Sequence, residues 1–101
     1  MPRQILIIGR LQERIDDLVA QLRDEGLSLK GSADFEEALR LLETGDIEAV
    51  AIGAGIEDSV RLPFADRLRA QFPSVEVHVK PDRSGGPAAM LPFVRAVAAA
   101  T

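Results

Sequence analysis

Apolar residues along this chain switch repeatedly between short unbroken runs and stripes spaced three and four apart. Gln4 to Ile8, QILII, is a continuous run of Leu and β-branched residues, the pattern of a strand covered on both faces. After Gly9 the period becomes helical. Leu11, Ile15, Leu18, Val19 and Leu22 fall on one stripe, Glu13, Arg14, Asp16, Asp17 and Arg23 lie elsewhere, and Gly26 stands where a helix C-cap belongs. The spacing predicts an amphipathic helix of about four turns.

Leu27 to Lys30 alternates, which predicts a shorter strand with one polar side. Asp34 with Glu37 three residues on has the spacing of a capping box; Phe35, Ala38, Leu39 and Leu42 then supply a buried stripe that Gly45 stops. Ala49 to Ile52 is apolar throughout and predicts a third strand. In the helix that follows, Phe64, Leu68 and Phe72 line one face. Pro63 cannot donate to a carbonyl one turn back and is expected in the first turn, and Pro73 marks the end. Val75 to Val79 alternates strictly, with Val75, Val77 and Val79 on one side and Glu76 and His78 on the other. The final segment opens with a loop rich in Gly, Pro, Asp and Ser. Pro87 offers a helix start, but Pro92 would kink it, so the regular part is expected near Leu91, with Met90, Phe93, Val94 and Val97 as its stripe.

The order β-α-β-α-β-α-β-α points to a parallel sheet with right-handed crossovers. Strands one and three are apolar on both faces and belong inside, whereas strands two and four alternate and belong at the edges. The economical spatial order is therefore 2-1-3-4. That order reverses direction between strands one and three, so their carboxyl ends flank the crevice where open α/β sheets bind ligands. Gly9, Arg10 and Gly53-Ala54-Gly55 fall there.

Composition narrows the classes of function. With 47% apolar and 28% charged residues in 101, the chain has the make-up of one globular domain, residues 1–101, able to bury its own core. A net charge of −4 argues against broad attraction to nucleic acid or to an anionic membrane. No cysteine is present, which removes disulfides, thiol nucleophiles and thiolate metal sites. The apolar run before Gly9 is too short for a signal-peptide core or a membrane span, so the expected location is the cytoplasm.

The order and spacing across Ile5 to Val79 resemble the receiver domain of two-component response regulators. ILIIG with its helix is similar to the first receiver unit, GSADFEEALRLLETGDIEAVAI to the second helix and third strand, and LRAQFPSVEVHVK to the third helix and fourth strand. The resemblance implies a three-layer, flavodoxin-like α/β fold and a bacterial, signal-transducing role. It also implies what should stand at the site: an acid pair after strand one to hold Mg²⁺, a phosphoacceptor aspartate closing strand three, and a hydroxyl residue after strand four. This chain has Gly9 and Arg10, then Gly53, then Lys80 and Pro81 at those places. Lys80-Pro81 is similar to the Lys-Pro pair that follows a receiver's fifth strand, which would align the C-terminal part with the receiver's end, one helix-strand unit being absent. Phosphoryl acceptance needs a carboxylate nucleophile and Mg²⁺ needs carboxylate oxygens, so phosphorylation at the family position is not expected.

Two readings of the site residues stand. Gly53 and Gly55 either satisfy a tight turn or form an amide nest for an anion; a lone G-x-G is a weak motif, and Asp58 occupies the place of a third glycine. Arg10, Lys80 and Arg83, with Gly9 and Gly86 nearby, either are solvated loop residues or attract a small anion such as phosphate or a nucleotide. His78 has no second histidine to build a metal site, and with Glu76 it is expected on the outer side of an edge strand, at an interface. No catalytic set and no cofactor is expected. The expected function is a non-catalytic, receiver-like domain in regulatory protein association, with itself as a homodimer or with another protein; the alternative is a small anion-binding or nucleotide-binding module.

Overall fold

A computed structural model of the chain describes residues 4–81 and 89–99. Four parallel strands, β1 (Gln4–Ile8), β2 (Ser28–Ser32), β3 (Ala49–Ile52) and β4 (Glu76–Val79), form one sheet in the order β2-β1-β3-β4. They alternate with α1 (Gln12–Arg23), α2 (Phe35–Glu43), α3 (Asp58–Gln71) and α4 (Met90–Ala99). This is the order expected from the two strands that are apolar on both faces. Ile5 to Ile8 and Ala49 to Ile52 are all buried.

Successive residues of each central strand point to opposite faces, which divides the core in two. Ile5, Ile7, Ala49 and Ala51 meet Ile15, Val19 and Leu22 of α1 and Val94 and Val97 of α4. Leu6, Ile8, Val50 and Ile52 meet Ala38 and Leu42 of α2 and Phe64, Ala65 and Leu68 of α3. The division follows from crossover handedness: the chain moves one way from β1 to β2 and the other way from β2 through β3 to β4, so α1 lies opposite α2 and α3. The C-terminal helix joins the α1 face, which the sequence had left open. Phe35 stacks on Phe64 at a centroid distance of 4.2 Å and an interplanar angle of 10°, joining α2 to α3.

Helix boundaries follow local chemistry. Asp34 caps α2, its Oδ1 accepting from the Glu36 N–H at 2.9 Å, and Gly45 ends the segment at φ 82°. Gly26 takes φ 88° after α1. Three expectations need correction. Leu11 does not join the buried stripe but precedes the helix in extended conformation, 52% exposed. Pro63 lies inside α3, because the helix begins five residues earlier, at Asp58. Its missing N–H would have returned to Ser59, and both residues are exposed, so water can satisfy that carbonyl. β2 runs on to Ser32, whose buried hydroxyl bonds both the N–H and the carbonyl of Asp34 at 3.0 Å. Pro87 lies outside the described residues, and Pro92 falls in the first turn of α4, where its missing N–H costs little.

Gly31 in β2 fits because it has no side chain. A Cβ there would lie 2.1 Å from Ile15 Cγ2 on α1, so helix and strand approach more closely than any larger residue allows. Gly31→Ala is expected to cost about 1–3 kcal/mol, read as a lower urea midpoint. An unchanged midpoint would mean that α1 does not rest on β2 in this way.

Far along the chain, Arg95 of α4 grips Glu25, just past the end of α1, with Nε to Oε1 at 2.9 Å and Nη2 to Oε2 at 2.6 Å. The hydrogen bond holds the Glu25 carboxyl below its ordinary pKa, and the Arg95 charge adds to the effect. A depressed carboxyl pKa contributes stability above the unfolded-state value and loses it as pH falls through the folded one. Glu25→Gln is therefore expected to lower Tm slightly at pH 7, with the difference from wild type vanishing in acid below the carboxylate range. A difference that persists in acid would assign the effect to something other than this ion pair.

Candidate functional site

The carboxyl ends of β1 and β3 open onto a cavity of about 400 Å³ on the α1 and α4 side of the sheet. Gly9, Arg10, Gly53, Gly55 and Lys80 all line it, so the structure brings together five of the seven anion-site candidates. Arg83 and Gly86 lie outside the described residues. The sequence had not indicated that the walls also include Arg14 and an apolar set: Leu11, Ile15, Leu18 and Met90. Arg14 stands in the first turn of α1, and no pattern in the sequence marked it.

The glycines are not there for their dihedral freedom. Among the described residues only Gly26 and Gly45 have positive φ. Space is the constraint at Gly53, where a Cβ would lie 3.2 Å from Met90 Sδ and 3.3 Å from its Cε. Two of their amides are already taken up by the backbone. The Gly53 N–H donates to the Ile8 carbonyl at 2.8 Å, and the Gly9 N–H to the Ser32 carbonyl at 3.3 Å, so both are engaged in extending the sheet ladder.

Among the described residues, the charged side chains that line the cavity are cationic. Arg10 and Arg14 are exposed, and Lys80 is 7% exposed at the end of β4. Among the described residues no carboxylate lines the cavity. A hard dication such as Mg²⁺ requires a shell of oxygen ligands, and a wall of two guanidiniums and an ammonium does not suit it. Among the described residues no cluster of His, Asp or Glu is placed to hold a metal ion.

Beside the cavity sits a residue that sequence reasoning passed over. Arg61 of α3 is only 2% exposed. Its Nη1 donates to the Lys80 carbonyl at 2.7 Å and to the Gly53 carbonyl at 3.4 Å, and its Nε donates to Asp58 Oδ1 at 2.7 Å. One guanidinium thus ties the ends of β3 and β4 together and fixes where Gly53 and Lys80 stand. Gln12 does similar work at the other end of the crevice, its Oε1 accepting from the Ala33 N–H at 2.9 Å and so joining the start of α1 to the loop after β2.

The interface candidates lie elsewhere. Glu76 and His78 point to the same side of edge strand β4, with His78 Nε2 3.2 Å from Glu76 Oε1. α3 packs on β4, whereas α4 packs on β3 and α1 and leaves that side of β4 partly open. The outer edge is partly guarded, since Arg69 Nη2 donates to the Val77 carbonyl at 3.1 Å.

Solved structures share this architecture. A response regulator from Thermotoga maritima superposes with a TM-score of 0.68 at 14% identity, covering 99% of this chain and 100% of its own. The fold is receiver-like. The signal receiver domain of an HD domain-containing protein from Pseudomonas fluorescens gives 0.66 at 21% identity, over 81% of this chain and 68% of that one. Chemotaxis protein CheY4 of Vibrio cholerae gives 0.66 at 16% identity, over 96% and 99%. No family model and no curated relative matches the sequence. No described helix is long and apolar enough to cross a membrane.

Removing the buried guanidinium tests the tie at the site. Arg61→Met leaves two strand-end carbonyls without their donor and is expected to cost about 2–4 kcal/mol, measured by chemical denaturation. Asp58→Asn, at a side chain 57% exposed, is expected to cost under about 1 kcal/mol. Equal losses would show that the ion pair, not the carbonyl contacts, carries the effect.

Proposed function

We propose that residues 1–101 act as one receiver-like regulatory domain that works through protein association and takes up no phosphoryl group at the end of β3. The observation that carries this is the packing of Met90 over Gly53. By the receiver resemblance, Gly53 holds the phosphoacceptor position. A glycine offers no nucleophile, and the space its side chain would enter is lined by a thioether. The cationic lining supports the same reading, because among the described residues no carboxylate stands there to hold the Mg²⁺ that assists phosphoryl transfer in receivers. Lys80-Pro81 directly after the last strand fits an alignment with the receiver's C-terminal end.

In this reading the domain is not an enzyme. Its output is a surface, and the side of β4 that carries Glu76 and His78 is the part of the sheet that α4 leaves partly open. The partner there is a second copy of the chain or another protein of the same cytoplasmic regulatory system.

Incubation with acetyl phosphate and Mg²⁺, followed by intact-mass measurement, is expected to leave the protein unmodified; a hydroxylamine-labile acyl phosphate mapped to the segment after β3 would overturn the reading. Light scattering over a wide concentration range separates the two partners: a rising mass identifies self-association, and a constant monomer assigns the surface to a different protein.

A further inference from the structure

We infer that the cavity between α1, α4 and the ends of β1 and β3 binds a small organic anion: one phosphate, sulfonate or carboxylate group carried on an apolar body. Three observations converge on this chemistry. The first is charge segregation. The chain is net negative, yet among the described residues Arg10, Arg14 and Lys80 line the cavity and no carboxylate does. Among the described residues, the side chains of Arg10 and Arg14 have no hydrogen-bond or ion-pair partner. Guanidiniums lining one cavity repel each other, and a bound anion relieves that repulsion while gaining forked hydrogen bonds.

The second is the apolar wall. Leu11 is the most exposed large hydrophobic residue among those described, and it stands at the cavity with Leu18 and Met90. Exposed leucine beside unpaired arginine suits neither a solvated loop nor a site for bare phosphate, which would leave that apolar surface in water. An occupant with both parts covers the one and neutralises the other. The third is size. A space of about 400 Å³ lies in the range of small-molecule sites. It is far too small for a macromolecule, and the overall negative charge repels polyanions.

The arrangement also explains why Met90 rather than an aliphatic branch covers Gly53. An unbranched thioether moves aside or follows the shape of a ligand at small cost. The site does not depend on whether the domain associates with protein, and its failure would leave the phosphorylation test untouched.

Three probes separate the components: 1-naphthyl phosphate, 1-naphthol and inorganic phosphate, each titrated into ¹⁵N-labelled full-length protein. The ester is expected to bind at least about tenfold more tightly than either component, with saturable amide shifts at Arg14, Leu18, Gly55 and Met90 and weakening as salt is raised. Arg14→Gln, at an exposed position, is expected to keep the spectrum of the folded protein and to lower affinity for the ester several-fold. The inference is overturned if naphthol binds as well as the ester, if inorganic phosphate does, if the shifts map away from these residues, if Arg14→Gln leaves affinity unchanged, or if no saturable shift occurs.

Discussion

Everything in this fold hangs on β1 and β3 being buried from both sides. A strand that carries only apolar residues gains nothing from a one-sided sheet, so a helix layer must cover each face, and the two strands must lie next to each other beneath it. That requirement puts β2 and β4 outside, divides four helices into two pairs, and turns the chain in opposite directions on leaving β1 and β3. The crevice at their carboxyl ends is a by-product of the same requirement. Its position is a consequence of how the core is covered.

The crevice keeps its shape through polar ties rather than through hydrophobic contact. Arg61 bonds the carbonyls that end β3 and β4, Ser32 closes the turn after β2, and Gln12 joins that turn to α1. Burying a guanidinium costs desolvation, which is offset only when most of its donors find acceptors. Three acceptors surround Arg61. A rigid rim of this kind leaves the neighbouring Arg10 and Arg14 as the adjustable part of the site.

Strand identity and order were legible because each strand's pattern stated how many of its faces are covered: QILII and AVAI two, EVHV one. The location of the crevice followed from the order. Leu11 misled because a helical stripe says nothing about residues before the first turn, and α1 begins at Gln12. Arg61 was hidden for a different reason. Its spacing with Phe64 and Leu68 places it on the buried stripe, and Asp58 stands three residues before it, but its main partners are carbonyls of distant strands that no local pattern announces. The glycines of the β3 loop look like a phosphate-binding turn in one dimension. In three, the Gly53 N–H completes the ladder with β1, and its missing side chain makes room for a methionine from the far end of the chain.

That far end has a consequence during synthesis. α4 is made after all four strands, yet it supplies Val94 and Val97 to the core over Ala49 and Ala51, and its Arg95 reaches back to Glu25. Until it emerges from the ribosome, the four strands can pair but β3 lacks part of its cover on the α1 face, the condition in which nascent chains stick to one another or recruit chaperones. Emergence of α4, rather than pairing of the strands, is then the moment at which this domain becomes safe from its neighbours.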